Sequence, residues 1–212
     1  MRLNSRIFFA TSIVATLLAS GCASGPTRFD IKTSGDPVIN RDISGKPLSV
    51  VVRLYQLKDA NEFSKLTFAT AASGRSDAEL FGQEFIERTE VVVVPGAQKV
   101  NAGTILPEAK YLGIVGYFRN PDRHAWRYLV KAEDIRRHGL TFTVRDCYLE
   151  LSGIKPVAIP SQPEGAKAEC IDPDHQPSAN GRPSPTNKAA PIAKPKAKRP
   201  SAKPITQPTT PQ

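Results

Sequence analysis

Histidine is scarce in this sequence, with three among 212 residues, and the three stand far apart at His124, His138 and His175. An active site needs a nucleophile with its base, a paired acid and base, or a metal cluster, and these histidines stand at no ligand spacing. The acidic pair Glu133 and Asp134 lies beside Arg136 and Arg137. That cluster reads as a polar connecting segment. Gly113 and Gly116 sit inside an apolar run rather than in a phosphate-binding loop, and there they serve close backbone packing. No catalytic residue, metal ligand or cofactor is therefore expected. Long apolar runs are missing too. Crossing a bilayer takes about 20 apolar residues, and the stretch from Ile7 to Ala19 is cut short by Ser20 and Gly21.

That N-terminal stretch is a leader. Arg2 and Arg6 precede an apolar region broken only by Thr11, Ser12 and Thr16, and Leu17-Leu18-Ala19-Ser20-Gly21-Cys22 follows. Ser20 and Gly21 supply the small residues that cleavage before Cys22 requires. Residues 1–21 are thus expected to be a lipoprotein signal peptide, with Cys22 the lipidated first residue of the mature chain and 22–27 a spacer. Leu18 stands one place further from the cysteine than is usual in such signals. Two or three acyl chains on one cysteine hold a protein firmly at a lipid surface. Ala23 follows where an Asp commonly retains a lipoprotein at the inner membrane. The expected location is the periplasmic face of the outer membrane.

Acidic residues run out toward the other end. The formal charge is +9 with pI near 9.6, yet beyond Asn180 every charge is Lys or Arg, and thirteen of the nineteen prolines lie from Pro156 onward. Such a composition cannot bury enough apolar surface to fold, so 156–212 is expected to be a disordered Pro/Lys-rich tail. The charge excess belongs in large part to that tail and no base-reading motif accompanies it, so nucleic acid is not expected as a partner. Cell wall or anionic lipid is the contact a basic arm would make in an exported protein. Of the three cysteines, Cys147 and Cys170 remain after Cys22. In an oxidising compartment they either pair, or stay as a buried apolar thiol and a free one.

Between leader and tail, residues 28–155 suffice for one domain. Phe29 and Ile31 alternate with polar neighbours over 28–34, a half-buried strand. The β-branched run 48–57 places Val50, Val52 and Leu54 on one face and belongs centrally in a sheet. Asp59 can cap a helix over 60–68 that carries Phe63 and Leu66, and Ser76 with Glu79 forms a capping box opening a helix over 77–86 with Phe81 and Phe85 on one stripe. Strands follow at 89–94 and 99–105, read as a hairpin around Pro95-Gly96, and then at 111–119, 126–131 and 140–151. Short strands with regular turns and two short helices argue for an all-β, two-layer sandwich with a small helical insertion. The segment 36–47 between the first two strands is rich in turn formers, with Val38, Ile39 and Ile43 among them. Those three either pack down or form a small apolar anchor ringed by polar groups.

Several segments, taken in order, match a known pattern. They are Asn40-Arg41-Asp42-Ile43-Ser44-Gly45-Lys46-Pro47, Val51-Val52-Arg53-Leu54-Tyr55-Gln56-Leu57, Glu62-Phe63, Leu80-Phe81-Gly82-Gln83-Glu84, and Glu90 through Pro95-Gly96. Tyr111-Leu112-Gly113-Ile114-Val115, Tyr117-Phe118-Arg119 and Trp126-Arg127 complete the set. Behind a lipobox, this chain resembles the TssJ, or SciN, family of outer-membrane lipoproteins of the type VI secretion system. The resemblance implies a transthyretin-like β-sandwich. It also implies a partner, the periplasmic C-terminal region of TssM, with TssL in the same envelope complex. The family's contact loop maps here onto Asp36, Pro37, Val38, Ile39, Asn40, Arg41, Asp42, Ile43, Ser44, Gly45, Lys46 and Pro47. The long basic tail lies outside the family pattern. The competing reading is a transthyretin-like lipoprotein that binds a small ligand or cell-wall fragment, which would show a large apolar pocket with convergent polar groups.

Overall fold

The computed structural model describes residues 25–160, 162–163 and 165–170. The leader with Cys22 and the chain beyond Cys170 lie outside the described residues. Among the described residues, eight strands form two four-stranded sheets. One sheet is ordered β4-β1-β7-β8, built from β1 (Thr27–Gly35), β4 (Gln98–Ile105), β7 (Leu140–Val144) and β8 (Leu149–Ser152). The other is ordered β3-β2-β5-β6, from β2 (Val50–Leu57), β3 (Phe85–Val93), β5 (Tyr111–Tyr117) and β6 (Arg127–Lys131). All neighbours are antiparallel except β1 and β7, which run parallel from the Ile31–Leu140 pair onward.

The inner faces follow the period-two pattern. Val50, Val52 and Leu54 are buried, and β2 is an interior strand as expected. The next inward residue of β2 is Gln56, whose amide is also buried. Its Nε2 donates to the Thr104 carbonyl at 2.8 Å and its Oε1 accepts from the Leu106 amide at 2.8 Å. Strand ends of opposite sheets are thus tied by one side chain that satisfies both of its polar atoms.

Several elements depart from the sequence expectation. The 89–94 and 99–105 strands are not a hairpin: β3 pairs with β2 and β4 pairs with β1, in different sheets. The Pro95-Gly96 turn crosses between layers because the end of β1 captures it, through Gly35 N–H to the Ala97 carbonyl and Gly96 N–H to the Asp36 carbonyl. The helix expected over 60–68 divides into α1 (Asn61–Lys65) and α2 (Phe68–Ala71), since Leu66 turns to ψ 125° and Thr67 caps anew by accepting from the Thr70 amide. The capping box at Ser76 and Glu79 opens α3 (Asp77–Phe81), but the helix ends where Gly82 adopts φ 52°, so Phe85 begins β3 instead of continuing the helix. Phe81 and Phe85 still stack, with ring centroids 6.5 Å apart. The segment holding Glu133 and Asp134 is not a connector but α4 (Ala132–His138). It buries only Ala132 and Ile135, places acids in its first turn and bases in its last, and pairs Glu133 with Arg137 one turn on. Residues 140–151 form two strands, because Arg145 through Tyr148 make the turn between β7 and β8.

Gly113 and Gly116 in β5 do permit close packing. A Cβ on Gly113 would lie 2.3 Å from the Phe63 ring, which α1 lays directly on the strand. The helical insertion is also pinned by hydroxyls: Tyr55 and Tyr117 meet at 2.9 Å, and Tyr117 donates to the Ala71 carbonyl at the end of α2.

Candidate partner-binding surface

The segment 36–47 leaves the sheet where β1 ends, and its base is held on three sides. Ile39 is fully buried in the sandwich core. Asn40 adopts φ 50°, a left-handed conformation that asparagine tolerates better than most residues. Its Nδ2 donates to the Ser49 carbonyl at 3.0 Å, its Oδ1 accepts from the Arg119 amide at 2.7 Å, and its own amide donates to the Asp146 carbonyl. Arg41 then grips Asp146 through both Nε and Nη2, at 3.1 and 2.6 Å. Asp36 is held likewise by Arg145, which also reaches Glu150. Those carboxylates raise the Arg145 pKa above its already high ordinary value.

Beyond this base the chain makes a tight turn. The Asp42 carboxylate accepts from the Ser44 hydroxyl at 2.6 Å, the Ser44 amide at 2.8 Å and the Lys46 amide at 3.0 Å. Led by the Ser44 hydroxyl, these donors hold the Asp42 carboxyl below its ordinary pKa. The backbone closes the same turn through Asp42 N–H to Lys46 and Gly45 N–H to Asp42. On its crest Ile43 is 91% exposed, and Val38 at the flank is 47% exposed. An isoleucine so presented, on a turn braced by its own hydrogen bonds, is a preformed apolar knob.

The structure therefore separates the three apolar residues of the segment. Ile39 packs down; Val38 and Ile43 face outward. Arg119, Arg145 and Asp146 stand outside the expected segment, yet they fix its shape. Complementary charges just after a buried strand end are the only sequence sign of them. Exposed Val94, at the nearby β3–β4 turn, adds apolar area to this end of the sandwich.

A second built feature lies past β8. Cys147 and Cys170 are joined in a disulfide with Cα atoms 5.6 Å apart. The described residues from 156 to 170 run across the domain as a strap, although the sequence places 156 at the start of a tail. Val157 N–H donates to the Leu129 carbonyl, Ile159 is buried, and Gln162 Nε2 donates to the carbonyls of His124 and Arg127. Glu169 N–H donates to Asp122 Oδ2 at 2.8 Å, beside the disulfide. Few large apolar side chains mark this strap, so composition alone reads it as unstructured. Among the described residues, no cluster of three or more His, Cys, Asp and Glu could hold a metal ion.

A family model described as type VI secretion lipoprotein, with members VasD, EvfM, TssJ and VC_A0113, matches residues 27–147. The chain belongs to this family. It is thus a TssJ-family lipoprotein of the type VI secretion system. Among solved structures, a chain of the type VI membrane complex shares 26% identity with a TM-score of 0.53, over 59% of this chain and 97% of that one. A structure of the TssM C-terminal domain from EAEC contains a chain matching with 25% identity and a TM-score of 0.51, over 60% of this chain and 99% of that one. The lipoprotein TssJ1 from Pseudomonas aeruginosa shares the fold at 24% identity and a TM-score of 0.50, over 64% of this chain and 99% of that one. No curated protein matches the sequence. The family match ends at Cys147, before β8 and the strap.

Proposed function

We propose that this lipoprotein is held at the periplasmic face of the outer membrane by acyl chains on Cys22 and captures the periplasmic C-terminal region of TssM with segment 36–47. TssL belongs to the same assembly. The observation that carries the reading is Ile43, exposed at the crest of a turn that Asp42 braces and Asn40 and Arg41 seat on the sandwich. Pre-ordering of this kind removes much of the entropy cost of binding, and a projecting aliphatic side chain fits the pattern of an interface anchor. The structural relatives in type VI membrane complexes support the same assignment.

The test separates the crest of the turn from its seat. Ile43→Asp changes a side chain that touches solvent, so the melting temperature should stay within a degree or two. Affinity for the purified TssM periplasmic region, by calorimetry, should fall at least about tenfold, the cost of losing a modest anchor. Unchanged affinity would move the contact elsewhere. Cys22→Ser should release the protein from the outer-membrane fraction, and mass spectrometry of the wild type should find an acylated first residue.

A further inference from the structure

The turn between β7 and β8 stands between the segment 36–47 and the strap, and it is bonded to both. Toward the segment, the Asp146 carbonyl accepts from the Asn40 amide at 2.6 Å, the Asp146 carboxylate pairs with Arg41, and Arg145 pairs with Asp36 as well as with Glu150. Toward the strap, buried Cys147 is joined to Cys170, and the Cys147 carbonyl accepts from the Asp122 amide at 2.9 Å. Asp122 in turn accepts from the Glu169 amide through Oδ2. Cys147, Cys170, Glu169 and Asp122 therefore close a ring at the back of the turn, and its disulfide is covalent.

The ion pairs that the turn offers to the segment are part-exposed, and pairs of that kind hold weakly by themselves. They form because the turn is already in place. Across it runs Arg145 N–H to the Tyr148 carbonyl, and just beyond it Leu149 N–H donates to the Ala125 carbonyl. Between these two bonds the disulfide anchors Cys147, whose Cα is one residue, about 3.8 Å, from that of Asp146.

We propose that the Cys147–Cys170 bridge and the strap are positioning elements for the partner contact: they hold the β7–β8 turn where it seats Asp36, Asn40 and Arg41, so partner affinity depends on this bond being oxidised. The inference rests on the reading of segment 36–47 as that contact. Reduction by a dithiol breaks the sulfur–sulfur bond, leaves a thiol on each cysteine and converts the dithiol to its own disulfide. Only hydrogen bonds then join the strap to the back of the turn, and the segment loses part of its preorganisation. Asn40 keeps its bonds to Ser49 and Arg119, which do not pass through the turn, so the segment loosens without detaching.

The test compares the full chain in detergent as the oxidised protein, after reduction with dithiothreitol, and as Cys147→Ser/Cys170→Ser. Amide hydrogen exchange is read first, with no partner present. The Asn40 amide should exchange about tenfold faster in the reduced and serine forms, while Val52 and Leu54 in β2 keep their rates. Affinity for the purified TssM periplasmic region should fall about three- to tenfold in both forms and return when the reduced protein is reoxidised. The serine form needs no reductant, so its loss cannot come from the partner. Ile135→Ala, in α4 at the opposite end of β7 from the turn, should lower the melting temperature and leave the affinity unchanged; an equal loss of affinity there would make the effect one of general stability and overturn the proposal. An unchanged Asn40 rate would overturn it as well, and so would a faster rate with unchanged affinity. Unchanged affinity in Ile43→Asp would overturn the contact itself and the proposal with it, while a faster Asn40 rate would still show that the bridge braces the turn.

Discussion

Asn40 sits at φ 50° with its amide donating to Ser49 and accepting from Arg119, so one side chain joins the seat of the loop to two other parts of the chain. Asn40→Ala removes both bonds and leaves alanine in a left-handed conformation that asparagine tolerates better. The expected loss is about 2–4 kcal/mol in urea unfolding. Asn40→Gly keeps the backbone free, so its loss should be smaller; an equal loss in both variants would assign the whole effect to the hydrogen bonds. Asp122 gives a pH signature. Burial alone would push its carboxyl up, but the amides of Ala125, Glu169 and His124 outweigh burial and hold it below the ordinary value. Because the folded value is the lower one, its stabilisation is complete above about pH 4 and is lost as pH falls through the folded pKa. The Glu169 amide proton should hold its chemical shift down to about that pH and then move toward its unfolded position, whereas Asp122→Asn should move it already at pH 7. An unchanged shift in Asp122→Asn would remove the carboxylate from the docking of the strap.

At the scale of elements, strands are more legible in the sequence than their partners. Val50, Val52 and Leu54 announce an interior strand because alternation reports a face directly, but nothing in 89–105 reports whether two successive strands share a sheet. That choice is made by Gly35 and Asp36, about sixty residues away, whose backbone catches the turn. The short helix α4 leaves little trace in the sequence because it shows just Ala132 and Ile135 to the core, too few to set a period of 3.6. In the candidate surface, the turn chemistry of Asp42, Ser44 and Gly45 is readable locally. The division of labour between Ile39 and Ile43 is not, since it depends on where the β7–β8 turn lies. The strap is the least legible part, being held by hydrogen bonds that mostly involve backbone groups, one buried side chain, Ile159, and one covalent link. Replacing both Cys147 and Cys170 by Ser should cost about 3 kcal/mol, for a bridge between residues 23 apart. Hydrogen exchange should rise at 165–170 while β2 and β5 stay protected. Equal loss of protection in those strands would mean that the disulfide holds the whole sandwich and not the strap alone.

Across the whole molecule, β1 has an unusual position in the proposed assembly. It begins at Thr27, a few residues from Cys22, the proposed acylation site, and ends at Gly35, where the segment proposed to face TssM starts. Its nine residues, at about 3.3 Å each, span about 30 Å as an already extended strand. In that proposed assembly, tension between outer membrane and partner would pass along covalent bonds that have almost no slack to give, and the sandwich around β1 would work as a sheath that is not itself in line. In an optical-trap measurement gripping the N-terminus and residue 43, the tether should lengthen by only a few nanometres at any force. Gripping the N-terminus and Cys170 should instead release most of the domain's contour length in a single step. The domain could then be partly melted by mutation or heat without the link between outer membrane and partner growing longer, which would make this subunit a cable whose length is written into one strand.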